Sequence, residues 1–275
     1  MEKLRIALWV AVLFAVPGFA ACTDKDTDEQ QAGASKAVAG QQAAAQKPAE
    51  KPEAGEEEEG EEGPATPAAV AAEKPAPQQS SGKQFAYNFD SDTPGQLPAK
   101  FHGAKTGGGT QEKWVVTSDP TALSKPNVVA QTSTDQTDYR FPLLISDEGS
   151  FRDLDLSVKF KAVSGSVDRA GGLVFRLKDA NNYYIVRANA LENNYRLYHV
   201  VNGRRSQFAG ANFKVTSGEW HELLVEAVGN KIACYYDGSK KIEATDGTFK
   251  DAGKVGLWTK ADSVTYFDDL KVTAK

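Results

Sequence analysis

Arginines and tyrosines recur in the stretch RAGGLVFRLKDANNYYIVRANALENNYRLYHVVNGRRS, residues 169–206, where apolar and polar residues alternate. Successive side chains of a β-strand point to opposite faces. The alternation therefore predicts that Arg176, Arg187 and Arg196 lie across one face of a sheet. A guanidinium donates forked hydrogen bonds to oxygen atoms, and a flat aromatic ring stacks on apolar ring carbons. This combination of side chains indicates a surface that binds a sugar.

The predicted ligand-binding set comes from three neighbouring segments of this stretch. Segments joined by short hairpins are expected to be neighbours in a sheet, which brings the set together: Arg176, Tyr183, Arg187, Asn189, Arg196 and Tyr198. In the alternative interpretation, Glu192, Asp179 and backbone carbonyls accept the hydrogen bonds of the arginines, and the tyrosines pack beneath a loop. Only the first interpretation leaves hydrogen-bonding groups for a ligand.

A second group of oxygen-bearing side chains lies at the two ends of the folded region. Asn88 and Asp90 occur in YNFD, and Asp268 and Asp269 occur in YFDDLKV. If the first and last strands pair, these oxygen atoms come together, and calcium prefers oxygen ligands. The sequence therefore permits a calcium site here. The alternative interpretation is that the carboxylates accept hydrogen bonds from turn amides where the termini meet.

Short segments that alternate apolar and polar residues fill residues 84–275. The first is FAYNFD at 85–90, the next is KWVVTS at 113–118, and the last is SVTYFDDLKV at 263–272. Turn sequences such as VNG, VGN and DGS separate them, at the spacing of hairpins in an antiparallel sandwich. No segment has the period of a long amphipathic helix. We therefore expect an all-β fold of two antiparallel sheets.

The order of these segments resembles that of known β-sandwich domains. Residues 218–272 resemble the C-terminal half of concanavalin A-like lectin and glucanase domains of the laminin-G-like type. The opening FAYNFDSDTPGQLPAKF and the central stretch from Arg169 are similar to the 3-keto-disaccharide hydrolase family. The resemblance implies a jelly-roll sandwich over residues 84–275, with a ligand on its concave face. It specifies the fold better than the function, because lectins, hydrolases and protein-binding modules share this architecture.

The N-terminal segment is predicted to direct export. Lys3 and Arg5 precede an apolar run at 6–16, and small residues then lead to Cys22, which is the pattern of a secretory signal peptide over residues 1–21. Its end, FAAC, resembles the bacterial lipobox, although Phe19 departs from the usual leucine. The resemblance implies lipid on Cys22, which would anchor the protein in the membrane of a bacterial envelope. By resemblance to the bacterial sorting rule, Thr23 in place of Asp after this cysteine implies the outer membrane.

A disordered tether is predicted over residues 22–83. This segment is rich in Ala, Gln, Glu and Pro and contains EEEEGEE, so it lacks the apolar residues that offset the entropy of ordering. Residues 23–83 hold 13 acidic and 6 basic residues, which is a net charge of −7. Residues 1–21 carry a net charge of +1. Since the whole chain carries −5, residues 84–275 carry +1. A nearly neutral domain lacks the basic surface with which proteins bind nucleic acid.

The other residues of catalytic or metal-binding type do not complete a known motif. Cys234 alternates within KIACYYDG and is expected to be a buried apolar side chain, because a lipidated Cys22 leaves it without a disulfide partner. The segment HELLV, residues 221–225, lacks the second histidine of the HExxH zinc motif. Asp153 and Asp155 lack the two glutamates that glucanases of this fold carry. Neither zinc nor this glucanase chemistry is expected.

Three functions remain open from the sequence. The leading hypothesis is a lipid-anchored envelope protein whose sandwich binds a carbohydrate or a related polyhydroxylated ligand without catalysis. The family resemblance implies the first alternative, a hydrolase of a glycoside or 3-keto-glycoside, in which the three arginines and a carboxylate such as Glu192 hold or protonate the substrate. The second alternative is a structural or protein-binding lipoprotein whose arginine and tyrosine face contacts a partner.

Overall fold

A computed structural model describes residues 83–275, and this part of the chain consists of strands and their connections. No helix among these residues is long and apolar enough to cross a membrane. The predicted signal peptide, the lipidation site Cys22 and the predicted tether up to residue 82 lie outside the described residues.

Fifteen strands form two antiparallel sheets. In chain order they are β1 (Gln84–Tyr87), β2 (Phe101–Gly107), β3 (Trp114–Ser118), β4 (Asn127–Gln131), β5 (Arg140–Ser146), β6 (Leu154–Ser164), β7 (Ala170–Asp179), β8 (Asn182–Asn189), β9 (Asn194–Val201), β10 (Arg204–Asn212), β11 (His221–Val228), β12 (Lys231–Tyr236), β13 (Ser239–Thr245), β14 (Lys254–Thr259) and β15 (Val264–Ala274). Sheet A has the order β13-β12-β11-β6-β15-β4-β3, with β1 paired to β15, and sheet B has the order β10-β9-β8-β7-β14-β5-β2. The predicted two-sheet jelly-roll sandwich is confirmed.

Alternate side chains of each sheet fill the space between the two sheets. In β8, Tyr184 and Val186 belong to this inter-sheet core, whereas Tyr183 and Ile185 face the other side of sheet B. Cys234 is fully buried in the inter-sheet core, as the alternation of its strand predicts. Its apolar surroundings raise the pKa of the thiol, which therefore stays protonated.

The first and last strands pair, as expected from the sequence. Strand β1 is antiparallel to the second half of β15, with Gln84 opposite Thr273 and Tyr87 opposite Leu270. One strand was not predicted. Strand β2 has the sequence FHGAKTG, and glycine is depleted in strands, yet β2 pairs with β5 along its whole length. Pairing with a strongly apolar neighbour outweighs the weak strand propensity of β2.

The outer face of sheet B carries a second apolar cluster. Its members are Phe141, Leu143, Ile145, Ala170, Val174, Leu177, Tyr183, Ile185, Tyr198, Val200 and Trp258. Trp258 is fully buried there and stacks on Phe141, with ring centroids 5.3 Å apart. Sheet B is therefore apolar on both faces. Sheets of this kind normally have one solvated face.

Sheet B closes over its own outer face at one corner. The Thr106 hydroxyl donates to the carbonyl of Ala180 at 2.5 Å and lies 2.8 Å from the hydroxyl of Tyr183. Tyr139, just before β5, donates to the carbonyl of Gly203 at 2.8 Å. The corner formed by β2 and β5 thus contacts the β7–β8 and β9–β10 turns, and this makes the outer face concave.

A side chain added at Gly171 should separate the two sheets. Gly171 lies in β7 on the inter-sheet side, where an added Cβ would come within 2.8 Å of Thr265 Cγ2 and 3.0 Å of Phe160 Cδ2. We expect Gly171→Ala to lower the free energy of unfolding by about 1–3 kcal/mol, the usual cost of overpacking, as measured by urea denaturation. Gly247→Ala is the control, because its Cβ would meet only Lys250 Cε at 3.8 Å. Equal stability of the two variants would contradict the packing described.

Candidate functional site

One end of the concave face carries a group of polar side chains, here called the Asp168 cluster, all of which are buried except the half-exposed Glu192. It consists of Asp168, Arg187, Asn189, Glu192, Asn194 and Lys260. Strand β8 supplies the arginine and one asparagine, while the β8–β9 turn and the start of β9 supply Glu192 and Asn194. The other members precede β7 or follow β14. The cluster combines two carboxylates, two cations and two amides in one desolvated place.

Asp168 is held in place by another carboxylate. Asp262 accepts hydrogen bonds from the backbone N–H groups of Ser166 at 2.7 Å, Val167 at 3.0 Å and Asp168 at 3.0 Å. This fixes the loop that carries Asp168. The Asn189 amide then donates to Asp168 Oδ1 at 2.8 Å, and the Asp168 side chain is completely buried.

Burial dominates the electrostatics of Asp168. Desolvation raises the pKa of its carboxyl above the ordinary value, although the charges of Arg187 and Lys260 act in the opposite direction. Lys260 Nζ lies 3.1 Å from Asp168 Oδ2 and 2.6 Å from Asp138 Oδ1. The site therefore holds a carboxyl group that takes up a proton more readily than a surface aspartate.

Arg187 is the most extensively bonded member of the cluster. Its Nη1 donates to Asn194 Oδ1 at 2.5 Å, and its Nη2 donates to Glu192 Oε2 at 2.9 Å and to the Tyr198 hydroxyl at 3.1 Å. The side chain is only 4% exposed, and its Nε has no hydrogen-bond partner among the described residues. Buried donors are normally paired, and this Nε is an exception within the Asp168 cluster.

Glu192 has the opposite pKa shift from Asp168. Its side chain is 46% exposed. Partial desolvation would raise its pKa, but the hydrogen bond from Asn194 and the charge of Arg187 outweigh that effect and lower the pKa. One carboxyl that binds a proton readily thus lies near one that remains ionised. This is the arrangement by which enzymes separate a general acid from a general base.

Position 172, next to Arg187 in the sheet, has no room for a side chain. In the register of sheet B, Gly172 lies directly between Arg187 of β8 and Trp258 of β14. A Cβ at Gly172 would come within 2.5 Å of the Val186 carbonyl oxygen. Trp258 Nε1 is also buried on this face, near the hydroxyl of Tyr183.

Three of the six residues in the predicted ligand-binding set meet in this site. Arg187 and Asn189 belong to the Asp168 cluster, and the hydroxyl of Tyr198 contacts Arg187. Arg196 lies opposite Arg187 in the register, but its guanidinium donates to Ala211 O and Asn212 Oδ1 on β10. Tyr183 is the residue that closes the corner with Thr106. Each predicted arginine has protein partners, so the three guanidiniums do not all lie unpaired on one face.

Arg176 does not lie on the concave face. A β-bulge interrupts β7 after Phe175, and Arg176 has a φ of +47°. The side chain is turned toward the end of the sandwich and is buried, donating to the carbonyls of Arg152 at 2.7 Å, Phe249 at 3.0 Å and Gly229 at 2.7 Å. The same bulge moves Leu177 to the outer cluster. Strict alternation with Leu173 and Phe175 would have placed it in the inter-sheet core. A bulge adds one residue and shifts the alternation of faces.

The four residues of the predicted calcium site do approach one another, but they bond to the protein. Asp268 accepts from the backbone N–H of Ser124 at 3.0 Å and from its hydroxyl at 2.9 Å. Asp90 accepts from the N–H of Asn127 at 3.0 Å, Asn88 accepts from the N–H of Asp90, and Asp269 faces Lys271. No group of three or more His, Cys, Asp or Glu side chains in residues 83–275 is arranged to hold a metal ion. This geometry favours the alternative interpretation, in which the carboxylates bond to loop amides.

The sequence analysis missed several residues of this end of the sandwich. Asp168 and Lys260 lie outside the strands, where alternation gives no information about the direction of a side chain. Trp258 lies on the outer face because it alternates with Leu257 of the inter-sheet core. Arg205 was not predicted as a site residue, because its position depends on contacts with aromatic rings from three other strands.

The two antiparallel sheets and the concave outer face of sheet B define a concanavalin A-like sandwich. The chain belongs to the 3-keto-α-glucoside-1,2-lyase-like domain family, whose sequence profile matches residues 94–273. No curated protein sequence matches the chain.

Solved structures resemble this chain in fold. The cellulose induced protein Cip1 has a TM-score of 0.51 and 10% identity, covering 70% of this chain and 97% of its own. The carbohydrate binding module CBM66 from Bacillus subtilis has a TM-score of 0.49 and 21% identity, covering 58% and 95%. A putative glycosyl hydrolase from Parabacteroides distasonis has a TM-score of 0.40 and 16% identity, covering 58% and 90%.

Removing the charge of Asp168 should stabilise the protein at neutral pH. Because folding raises the pKa of Asp168, its contribution to stability is fully present below its unfolded pKa of about 3.9 and is lost as pH rises through the folded value. We expect Asp168→Asn to raise Tm at pH 7, by about 2–4 °C for each kcal/mol of desolvation relieved. The gain should disappear near pH 3.5 in thermal unfolding. A lower Tm at pH 7 would show instead that the ion pair with Lys260 outweighs the cost of burial.

Proposed function

We propose that residues 83–275 bind a carbohydrate at the concave face of sheet B, with the Asp168 cluster as the polar end of the site. The observation that carries this proposal is the Arg187 network, in which a nearly buried guanidinium retains an unpaired Nε beside Trp258. Sugars need hydrogen-bonding groups for their hydroxyls and aromatic rings for their ring carbons. Both kinds of group occur together here.

The family match supports a sugar as the ligand. The name of the family refers to 3-keto-α-glucosides, which are neutral sugars with one hydroxyl replaced by a ketone. The Arg187 guanidinium and the Lys260 ammonium are suitable donors to a ketone oxygen, because a cationic donor forms a stronger hydrogen bond than a neutral one. Glu192 and Asp168 are suitable acceptors for the remaining hydroxyls.

Catalysis is the second candidate function, and the opposite pKa shifts of Glu192 and Asp168 favour it. In a 3-keto-α-glucoside the ketone at C3 makes the hydrogen on C2 acidic. Glu192 would take this proton, the C2 electron pair would form a C1=C2 double bond, and the bond from C1 to the departing oxygen would break. Asp168, in the protonated form that its raised pKa favours, would give its proton to that oxygen, so protons and electrons balance.

We also propose that lipid on Cys22 holds the domain at a bacterial envelope, on the outer membrane. The proposal rests on the signal-like residues 1–21 and the lipobox-like FAAC that precedes the acidic segment. Several acyl chains on one cysteine would anchor a protein stably. Metabolic labelling with palmitate should mark the protein, and Cys22→Ser should remove both the label and the protein's membrane association. Equal labelling of this variant would contradict the anchor.

Weakening the Arg187 network should weaken ligand binding. We expect Arg187→Gln to reduce the affinity for 3-keto-sucrose by at least about tenfold, because glutamine cannot supply the forked charged donor. Isothermal titration calorimetry of the full chain with 3-keto-sucrose and with sucrose measures this. Arg152→Gln is the matched control, since Arg152 is 53% exposed and lies at the opposite end of the sandwich.

The same titration separates the two candidate functions. Binding of 3-keto-sucrose without release of fructose supports a binding domain. Release of fructose that stops in Glu192→Gln, while the ligand still binds, supports the lyase. If neither sugar binds at millimolar concentration, or if the Arg187 and Arg152 variants lose affinity equally, the proposed site is wrong.

A further inference from the structure

We propose that Arg205 forms a subsite for the carboxylate of an acidic sugar bound on the concave face of sheet B. This subsite rests on the proposed carbohydrate site and names a substrate class for it, acidic saccharides. The family match does not indicate this class, because 3-keto-α-glucosides are neutral.

Three aromatic rings hold the Arg205 guanidinium. Its Cζ lies 4.6 Å from the ring centroid of Phe141, 4.6 Å from that of Tyr198 and 5.8 Å from that of Trp258. The backbone N–H of Arg205 donates to the Tyr139 hydroxyl at 2.8 Å, which fixes this end of β10. A guanidinium held by aromatic faces remains charged and loses little freedom when it binds an anion.

Arg205 has no hydrogen-bonding partner for its guanidinium among residues 83–275. Its Nη1 is buried without an acceptor, and no carboxylate in that part of the chain forms an ion pair with it. An unpaired buried donor destabilises the protein, and more so if it is charged. By contrast, Arg176 is satisfied by three carbonyls. The unmet donor points to an acceptor supplied by a ligand.

The chain around Arg205 has an excess of positive charge. Residues 193–218 contain three arginines and one lysine but no aspartate or glutamate. Arg196 and Arg204 lie in the same hairpin, β9–β10, and neither forms an ion pair within the described residues. Uncompensated charge of one sign on a concave surface attracts ligands of the opposite sign.

The arrangement of rings and charges favours a carboxylated sugar ring over a small anion. Arg187 and Arg205 contact the same ring, that of Tyr198, with Cζ atoms 5.7 Å and 4.6 Å from its centroid. The carboxylates of Glu192 and Asp168 belong to the Arg187 end and would repel an anion there. A uronic acid would therefore place its carboxylate at Arg205 and its hydroxyls toward the Asp168 cluster.

A pair of ligands that differ only in charge tests this subsite. The acid is methyl α-D-glucopyranosiduronic acid, and its methyl ester has nearly the same shape without the charge. In titrations of the full chain followed by the Trp258 indole signal in NMR spectra, we expect the acid to bind at least about tenfold more tightly than the ester. Arg205→Gln should reduce the affinity for the acid to that for the ester and leave the ester unchanged.

Two variants distinguish a specific subsite from a general positive charge. Arg204→Gln removes the same charge from the adjacent, exposed position and should keep the preference for the acid. Arg205→Lys keeps the charge but loses the planar fork, so the preference should be intermediate. Equal affinities for acid and ester, or equal losses in the Arg204 and Arg205 glutamine variants, would overturn the subsite.

Failure of the subsite and failure of the carbohydrate site give different results. If 3-keto-sucrose binds but the acid binds no more tightly than its ester, only the subsite is wrong. If 3-keto-sucrose, the acid and the ester all fail to bind, the proposed carbohydrate site is wrong as well.

Discussion

The rest of the structure depends on the burial of both faces of sheet B. One face of this sheet packs against sheet A, and the other carries the cluster around Phe141, Ile185 and Trp258. Exposed apolar surface is costly in water, so the sheet curves until the corner at Thr106 meets the β7–β8 turn. The curvature creates the concave face and removes the polar groups at its end from water. The proposed site thus follows from the same packing that stabilises the fold.

Desolvation then determines the protonation and pairing of the charged side chains in the Asp168 cluster. A buried charge must be paired or its pKa must shift, and both responses occur here. Arg187 is paired with Glu192 and the side chain of Asn194, whereas the pKa of Asp168 is raised despite the nearby ammonium of Lys260. The donors that stay unpaired, Nε of Arg187 and Nη1 of Arg205, are the groups to which a ligand can add an acceptor.

Period-two alternation and turn residues predicted the sandwich, the faces of β8 and the burial of Cys234, because these depend on local sequence and on a common core. The prediction failed where the backbone departs from a regular strand. The bulge in β7 moved Arg176 and Leu177 to unexpected places, and nothing in GGLVFRLK signals it. Residues outside strands, such as Asp168, are positioned by contacts distant in sequence, here with Asp262. The sequence therefore identified Arg187, Asn189 and Tyr198 but not their acidic neighbour.

Binding of a ligand at the concave face of sheet B can be tested with two indole groups in one spectrum. Trp258 Nε1 lies on that face, whereas Trp220 Nε1 donates to Thr121 Oγ1 at the outer face of sheet A, where Lys161 lies over its ring. Nitrogen-15 NMR of the indole groups during titration with 3-keto-sucrose measures both at once. We expect the Trp258 signal to shift and saturate while the Trp220 signal stays in place. A saturable shift of Trp220 with Trp258 unchanged would contradict it.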